Sequence, residues 1–240
     1  MLIHGVVIRA SDSFDPRQRL HENELHLAQR YRHRGRRRQF LLGRAAARRL
    51  LVSSKTVDPK RLGWIERTES GWPRVLDIHG EPLDISLSIS HSGPMAVCVL
   101  CPVTSGTVGV DLEMVEERID AFYEDYFSQQ EQTLMLEPEG SWSHSRGTVL
   151  WVIKEAVLKS FRVGLQVDAR TVDVKDISGP ARVEGWYKAL VHVAGKASPS
   201  VIWRWMDSEK KMVLALSLQS QGVTVEKNKE IDLDWQEYEI

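Results

Sequence analysis

Hydrophobic and polar positions along the chain divide it into strand-like and helix-like stretches that alternate. Ile3-His4-Gly5-Val6-Val7-Ile8 reads as a short first strand. From Asp15-Pro16 to Leu51 the apolar positions fall at helical spacing, with Leu20, Leu25, Leu27, Tyr31, Phe40, Leu41, Leu50 and Leu51 supplying them, and Gly35 is expected to separate two helices. Three alanines in Gln39–Arg48 allow close packing of the second helix, whose Arg44 and Arg48 lie one turn apart. A Gly- and Pro-rich loop region follows, with Gly71-Trp72-Pro73 and Gly80-Glu81-Pro82. Leu83, Ile85, Leu87 and Ile89 then alternate with Asp84, Ser86, Ser88 and Ser90, the clearest period-two strand in the chain. His91-Ser92-Gly93-Pro94 turns it into a buried strand from Met95 to Cys101, and Gly106 starts a third through Leu112.

Beyond this point the pattern turns helical and then returns to strands. Ser128-Gln129-Gln130-Glu131 fits a capping box at a helix start. A Gly/Ser-rich break at 140–147 precedes an amphipathic helix from Thr148 to Phe161. Strands are expected around 167–174, 182–193, 201–205 and 213–218. The tail from Glu226 to Ile240 holds six acids and two lysines and is the segment least expected to be ordered. Strand, helices and strands thus occur twice without any repeat in the letters. The expected class is α/β (α+β), a pseudo-twofold pair of similar subdomains joined near 102–108. Each would be an antiparallel three-stranded sheet on a long helix, with residues 1–105 forming the first and 106–240 the second, which carries the candidate metal site.

Composition narrows the class without naming a function. The 240 residues are 42% apolar and 27% charged, near the average for a soluble chain. No uncharged run approaches the ~20 residues of a membrane span, and the N-terminus lacks the charged-then-apolar pattern of a secretory signal. Two cysteines make no disulfide scaffold, so a cytoplasmic setting is expected. Cys98 and Cys101 sit in an apolar strand and read as core residues. The remaining histidines, His91 apart, form no ligand-spaced cluster.

The net charge of −1 averages over strong segregation. From Leu25 to Val57 there are nine arginines, Lys55 and no acid, +10 formally, which leaves −11 for the other 207 residues. Such a block marks an anionic partner or a solvated helix face.

Two short strings carry the chemistry. Gly109-Val110-Asp111-Leu112-Glu113 places two carboxylates at i and i+2 on one face of a strand, a donor type that suits a hard divalent cation. Alone it is weak, since G-x-D-x-E arises by chance in roughly one such chain in twenty. Trp151-Val152-Ile153-Lys154-Glu155-Ala156-Val157-Leu158-Lys159 is sharper. On a helix, Trp151, Glu155 and Lys159 share one stripe, so an acid and a base follow a buried tryptophan towards the interior. The competing reading is an ordinary i, i+4 ion pair on an exposed helix.

The order I-S-H-S (89–92), G-V-D-L-E (109–113), F-S-x-x-E (127–131) and W-x-x-K-E-A-x-x-K (151–159) resembles the 4′-phosphopantetheinyl transferase superfamily in its Sfp-type branch. The likeness runs from about 36 to 165, including F-L-L-G-R at 40–44 and a closing G-L at 164–165. It implies transfer of the phosphopantetheine arm of coenzyme A to a serine of an apo acyl or peptidyl carrier protein, releasing 3′,5′-ADP, by a monomer with coenzyme A in the cleft between two halves. It further implies Asp111, Glu113 and Glu155 as Mg²⁺ ligands and Lys159 as a contact of the coenzyme A phosphates. Ser90 and His91 would lie near the 3′-phosphate, Arg44 would face the nucleotide, and Glu131 would be a second acid near the metal. Arg36 or a neighbour would add a phosphate contact. The base that takes the serine proton would be Glu155 or a metal-bound water. Many relatives carry a lysine in a G-K-P turn where this chain has Gly71-Trp72-Pro73, and Arg74 is the candidate replacement. The competing classes are a nucleic-acid-binding protein using the 30–49 arginines and a non-catalytic carrier-binding relative. Simple phosphate-backbone binding has no use for three carboxylates beside its cations.

Overall fold

The computed structural model describes residues 2–9, 15, 20–136, 140–163, 166–180, 184–220 and 231–239. The chain splits into two compact units, the first of residues 1–108 and 231–240 and the second of 109–230.

In the first unit, β1 (Leu2–Arg9), β4 (Ile85–Ser92) and β5 (Met95–Pro102) form an antiparallel core sheet. A fourth strand, β11 (Asp232–Glu239), lies parallel to β1, giving the order β11-β1-β5-β4. The described part of the acidic tail is thus an ordered strand that joins the first unit, not the second. Its docking has two physical causes. It pairs backbone groups that an open β1 edge would leave exposed, and it buries Ile231 while His4 Nδ1 meets Asp234 Oδ2 at 2.9 Å. The Gly/Pro-rich region expected as loop holds a hairpin, β2 (Leu62–Arg67) with β3 (Pro73–Asp77).

The long helix α2 (Arg34–Ser53) covers this sheet with Leu42, Ala46, Ala47, Leu50 and Leu51, packed on Val6, Ile8, Leu87, Ala96, Cys98 and Leu100. Each leucine so buried contributes about 2 kcal/mol. The break before α2 falls at 30–33, not at Gly35, and the short α1 (Glu22–Gln29) precedes it. Gly35 sits in the first turn, where backbone N–H groups have no intrahelical partner and a glycine disturbs least. Arg37 Nε and Nη2 donate to Tyr31 O and brace that turn.

The second unit holds a five-stranded sheet in the order β6-β10-β9-β8-β7, from β6 (Thr107–Met114), β7 (Val172–Pro180), β8 (Tyr187–Val193), β9 (Ser200–Trp205) and β10 (Met212–Gln219). The α+β class therefore holds in each unit, but the sheets have four and five strands where three were expected. The tail supplies the extra strand in one, and every period-two segment after Ala169 is kept in the other. Short helices α3 (Asp120–Tyr126) and α4 (Gln129–Met135) lead to the long α5 (His144–Ser160), which starts one turn earlier than its apolar pattern. Val149, Val152, Ile153, Ala156 and Val157 of α5 pack on Val172, Val201, Val213 and Ala215. Both cysteines are buried and unbridged, as the apolar strand implied.

The two units share one device that the letters do not show. In the first, Glu24 stands at the third position of a capping box begun by His21 and is fully buried. It accepts from His21 N (3.0 Å), from Ile65 N of β2 (3.2 Å) and from Arg48 Nη1 of α2 (3.2 Å). In the second, fully buried Glu131 holds the same place after Ser128. It accepts from Ser128 N and Val174 N, both at 2.8 Å, and pairs with Lys154 Nζ of α5 at 2.8 Å. Arg48 also donates to Gly63 O, and Lys154 to Val172 O, in each case two residues before the strand amide that the acid binds. One acid thereby ties a short helix, a long helix and a strand together in each unit.

Candidate functional site

Strand β6 presents Asp111 and Glu113 on the face turned to α5, while Val110 and Leu112 are fully buried on the other. Gly109 sets the spacing. A Cβ there would lie 1.9 Å from Ala156 O and 2.5 Å from Ser160 N, so strand and helix approach closely only because the residue is glycine. The last turn of α5 is anchored behind this contact by Ser160 Oγ, 2.9 Å from Ser217 Oγ of β10.

That approach brings Lys159 onto the carboxylates. Its ammonium lies 2.6 Å from Asp111 Oδ1 and donates to Val110 O at 3.1 Å. Asp111 is buried, whereas Glu113, Glu155 and Lys159 are half-buried. Trp151 heads the same helical stripe, buried edge-on against Phe122 and Tyr126. Glu155 Oε1 is buried with no hydrogen-bond partner among the described residues.

The electrostatics follow from crowding in a partly dry place. Burial pushes the Glu155 carboxyl up to about 7, with Lys159 opposing the rise and Asp111 adding to it. Burial likewise pushes Glu113 up to about 7, reinforced by Asp111 and opposed by Arg118 and Lys159. Burial acts to lower the Lys159 ammonium, but the charges of Asp111, Glu155 and Glu113 outweigh it and hold it above the ordinary lysine value. Arg118 was not legible in the sequence, because it stands in the irregular segment after β6. Its guanidinium lies 4.5 Å over the Phe122 ring, with Nε buried and lacking a hydrogen-bond partner.

Among the described residues no three His, Cys, Asp or Glu side chains are placed to hold one metal ion. Two causes are visible. Asp111 is turned to Lys159, and residues i and i+2 of a strand stand about 7 Å apart along it. The donor chemistry nevertheless fits Mg²⁺, which takes one or two carboxylates and completes its shell with phosphate oxygens and water. Glu131 lies elsewhere. Both its oxygens are committed to Ser128, Val174 and Lys154, so it is a structural acid and not a second acid at a metal.

The first unit holds the other candidates. Arg44 is buried, with its guanidinium 4.9 Å over Phe40 and Nη2 3.5 Å from Glu66 O. Its Nε and Nη1 are buried with no hydrogen-bond partner among the described residues, and burial depresses its pKa. A buried cation with two unmet donors is costly and fits an anionic ligand. Arg74 is ion-paired with the side chain of the same Glu66, so this acid, unremarked in the sequence, connects two candidate cations. Ser90 is buried and His91 exposed near the end of β4. Helix α2 crosses β4 there, since a Cβ on Gly43 would lie 2.9 Å from Ile89 Cγ2 and 3.8 Å from His91 Cδ2. Arg36 is exposed in the first turn of α2, about 12 Å along the helix from Arg44. The Gly-Leu at 164–165 lies outside the described residues.

Residues 107–202 match the family model of the 4′-phosphopantetheinyl transferase superfamily, a segment from β6 into β9 that contains Asp111, Glu113, Glu155 and Lys159. Over that segment, two fifths of its length, the chain is similar to this superfamily, whose reaction is phosphopantetheine transfer. No curated protein matches the chain significantly. No helix among the described residues is long and apolar enough to cross a membrane.

Proposed function

We propose that the chain is an Sfp-type, Mg²⁺-dependent 4′-phosphopantetheinyl transferase that acts as a cytoplasmic monomer on an apo acyl or peptidyl carrier protein. The observation that carries this reading is the Lys159–Asp111 contact flanked by two carboxyls near neutrality, inside the family-matched segment.

In the proposed reaction the carrier serine hydroxyl attacks the β-phosphorus of coenzyme A. The bond to the bridging oxygen breaks, 3′,5′-ADP leaves, and Glu155 Oε1 takes the serine proton. Glu155 Oε1 is buried with no hydrogen-bond partner among the described residues, which leaves it open as the acceptor of that proton. Mg²⁺, held by Asp111, Glu113 and Glu155 with the diphosphate, would neutralise charge that develops on the phosphate oxygens. Lys159 and Arg118 supply protein cations to the same oxygens. Arg44, Ser90, His91, Arg36 and Arg74 are assigned to the nucleotide end. Arg44 is the best supported of these, because its buried donors lack partners. The exposed Arg32, Arg34, Arg37 and Arg38 suit an acidic carrier surface.

The test is incubation of the full chain with coenzyme A, Mg²⁺ and a panel of apo carriers, read as the phosphopantetheine mass shift. Modification of a carrier that is abolished in Asp111→Ala with an unchanged circular dichroism spectrum is expected. No shift on any carrier would refute the activity, and full activity in Asp111→Ala would refute the role of Asp111.

A further inference from the structure

The first unit contains a cavity of about 430 Å³ that the transfer reaction does not use. Its size lies in the range of small-molecule sites, roughly 300–1,000 Å³. The wall is mostly apolar, made by Ala45 and Val52 of α2, Pro59, Leu62 and the ring of Tyr238 on β11. Arg48, Arg49 and Ser53 complete it.

The two arginines differ in how they are compensated. Arg48 is ion-paired with Glu24 at 3.2 Å and donates to Gly63 O, so its charge is met within the fold. Arg49 lies over Tyr238, with its guanidinium carbon 3.6 Å from the ring centre. Its Nε is buried with no hydrogen-bond partner among the described residues. The aromatic face fixes the guanidinium plane and leaves its edge to meet an acceptor. Counting Arg48, Arg49 and Glu24, the cavity carries a net charge of +1.

This cavity is separate from the residues assigned to the nucleotide end. Gly43 turns towards Ile89 and His91. Ala45, Arg49 and Val52 stand roughly 180–240° further round α2, on its opposite face. A ligand here would contact α2 and the C-terminal strand without touching the Ser90–His91 segment.

We propose that this cavity binds a small amphipathic organic monoanion, its carboxylate received by Arg49 and its apolar body lying along Val52, Leu62 and Tyr238. The net +1 favours one negative charge over two. The apolar wall favours a hydrocarbon or aromatic body over a sugar. The fork edge of Arg49 matches a carboxylate in plane.

The experiment titrates octanoate, and its neutral isostere octanamide, into the full-length protein by calorimetry, with amide chemical-shift mapping of α2 and β11. Saturable octanoate binding is expected, with shifts confined to residues near 45–53 and 238. Octanamide should bind about tenfold more weakly, and Arg49→Gln should weaken octanoate by about the same factor. Val52→Trp fills the cavity from an exposed position and should abolish binding at an unchanged melting temperature. Absence of saturable octanoate binding would overturn the proposal. So would equal affinity for octanamide, or binding undiminished in Val52→Trp.

Discussion

Gly109 is the position at which one added carbon should disturb stability and reaction together. In Gly109→Ala the new Cβ would begin 1.9 Å from Ala156 O. An ordinary contact needs about 3.5 Å, so β6 and α5 must part by ~1.6 Å. The Lys159–Asp111 contact, 2.6 Å in the native protein, would then open towards ~4 Å. With an effective dielectric of about 20, that opening forfeits roughly 2 kcal/mol of attraction between the two charges. Overpacking adds about 1–3 kcal/mol to the destabilisation. A chain of this size loses about 2–4 °C of melting temperature per kcal/mol, so a fall of ~6–20 °C is expected by scanning calorimetry. A displacement above 1 Å at reacting groups is worth on the order of 10²-fold in rate, to be read as the initial rate of carrier modification. Thr107→Ala, at a half-buried position on the same strand, is the control and should leave both near native. Native stability together with native rate in Gly109→Ala would refute the view that the strand–helix spacing sets the site.

Three other perturbations separate the parts of the molecule. Removing Glu131 as Glu131→Ala strands the fully buried Lys154 and should cost about 3–5 kcal/mol in urea unfolding; a loss below ~1 kcal/mol would show that the pair is dispensable. Glu113 and Glu155 have folded-state pKa values raised to about 7 from an ordinary 4.5, so the native state holds their protons more tightly than the unfolded chain. Their contribution to stability is full below about pH 4.5 and is lost as pH rises through 7, so the metal-free melting temperature should fall from pH 5 to pH 8. The Glu113→Gln/Glu155→Gln variant should flatten that slope, and millimolar Mg²⁺ should raise the melting point more at pH 8 than at pH 5.5; a flat wild-type profile would contradict the buried-carboxyl account. Arg44→Met should leave stability unchanged or raised, since two unmet buried donors disappear, while 3′,5′-ADP binding by calorimetry weakens about tenfold; undiminished binding would remove Arg44 from the nucleotide site.

Legibility in the sequence followed the range of the forces involved. The alternation from Leu83 to Ser90 and the apolar run after Met95 produced β4 and β5 within two residues, because one-sided burial writes itself as a period of two. The capping box at Ser128 formed as its spacing required, since it depends on four consecutive residues. The stripe of Trp151, Glu155 and Lys159 was visible for the same reason. The hairpin at 62–77 was hidden by its turn residues, and the C-terminal strand by its charges: an edge strand buries little and so carries little periodicity. Glu131 looked like a site acid only because a carboxylate near a functional motif and a carboxylate under a helix cap have the same letter. Arg118 and Glu66 had no local signal at all.

The sequence alone determined the α+β class, the two long helices with their apolar faces, and the four residues proposed to carry the chemistry. It did so because helix stripes, strand alternation and short motifs are relations between near neighbours. Tertiary structure alone decided which carboxylate meets which cation. Asp111 and Lys159 are 48 residues apart in the chain and 2.6 Å apart in space, and only the close approach at Gly109 makes them partners. It also decided the repeated acid of the two units, the burial of Arg44 and the cavity beneath Tyr238. Each of these depends on desolvation by segments distant in the chain, which no local pattern encodes.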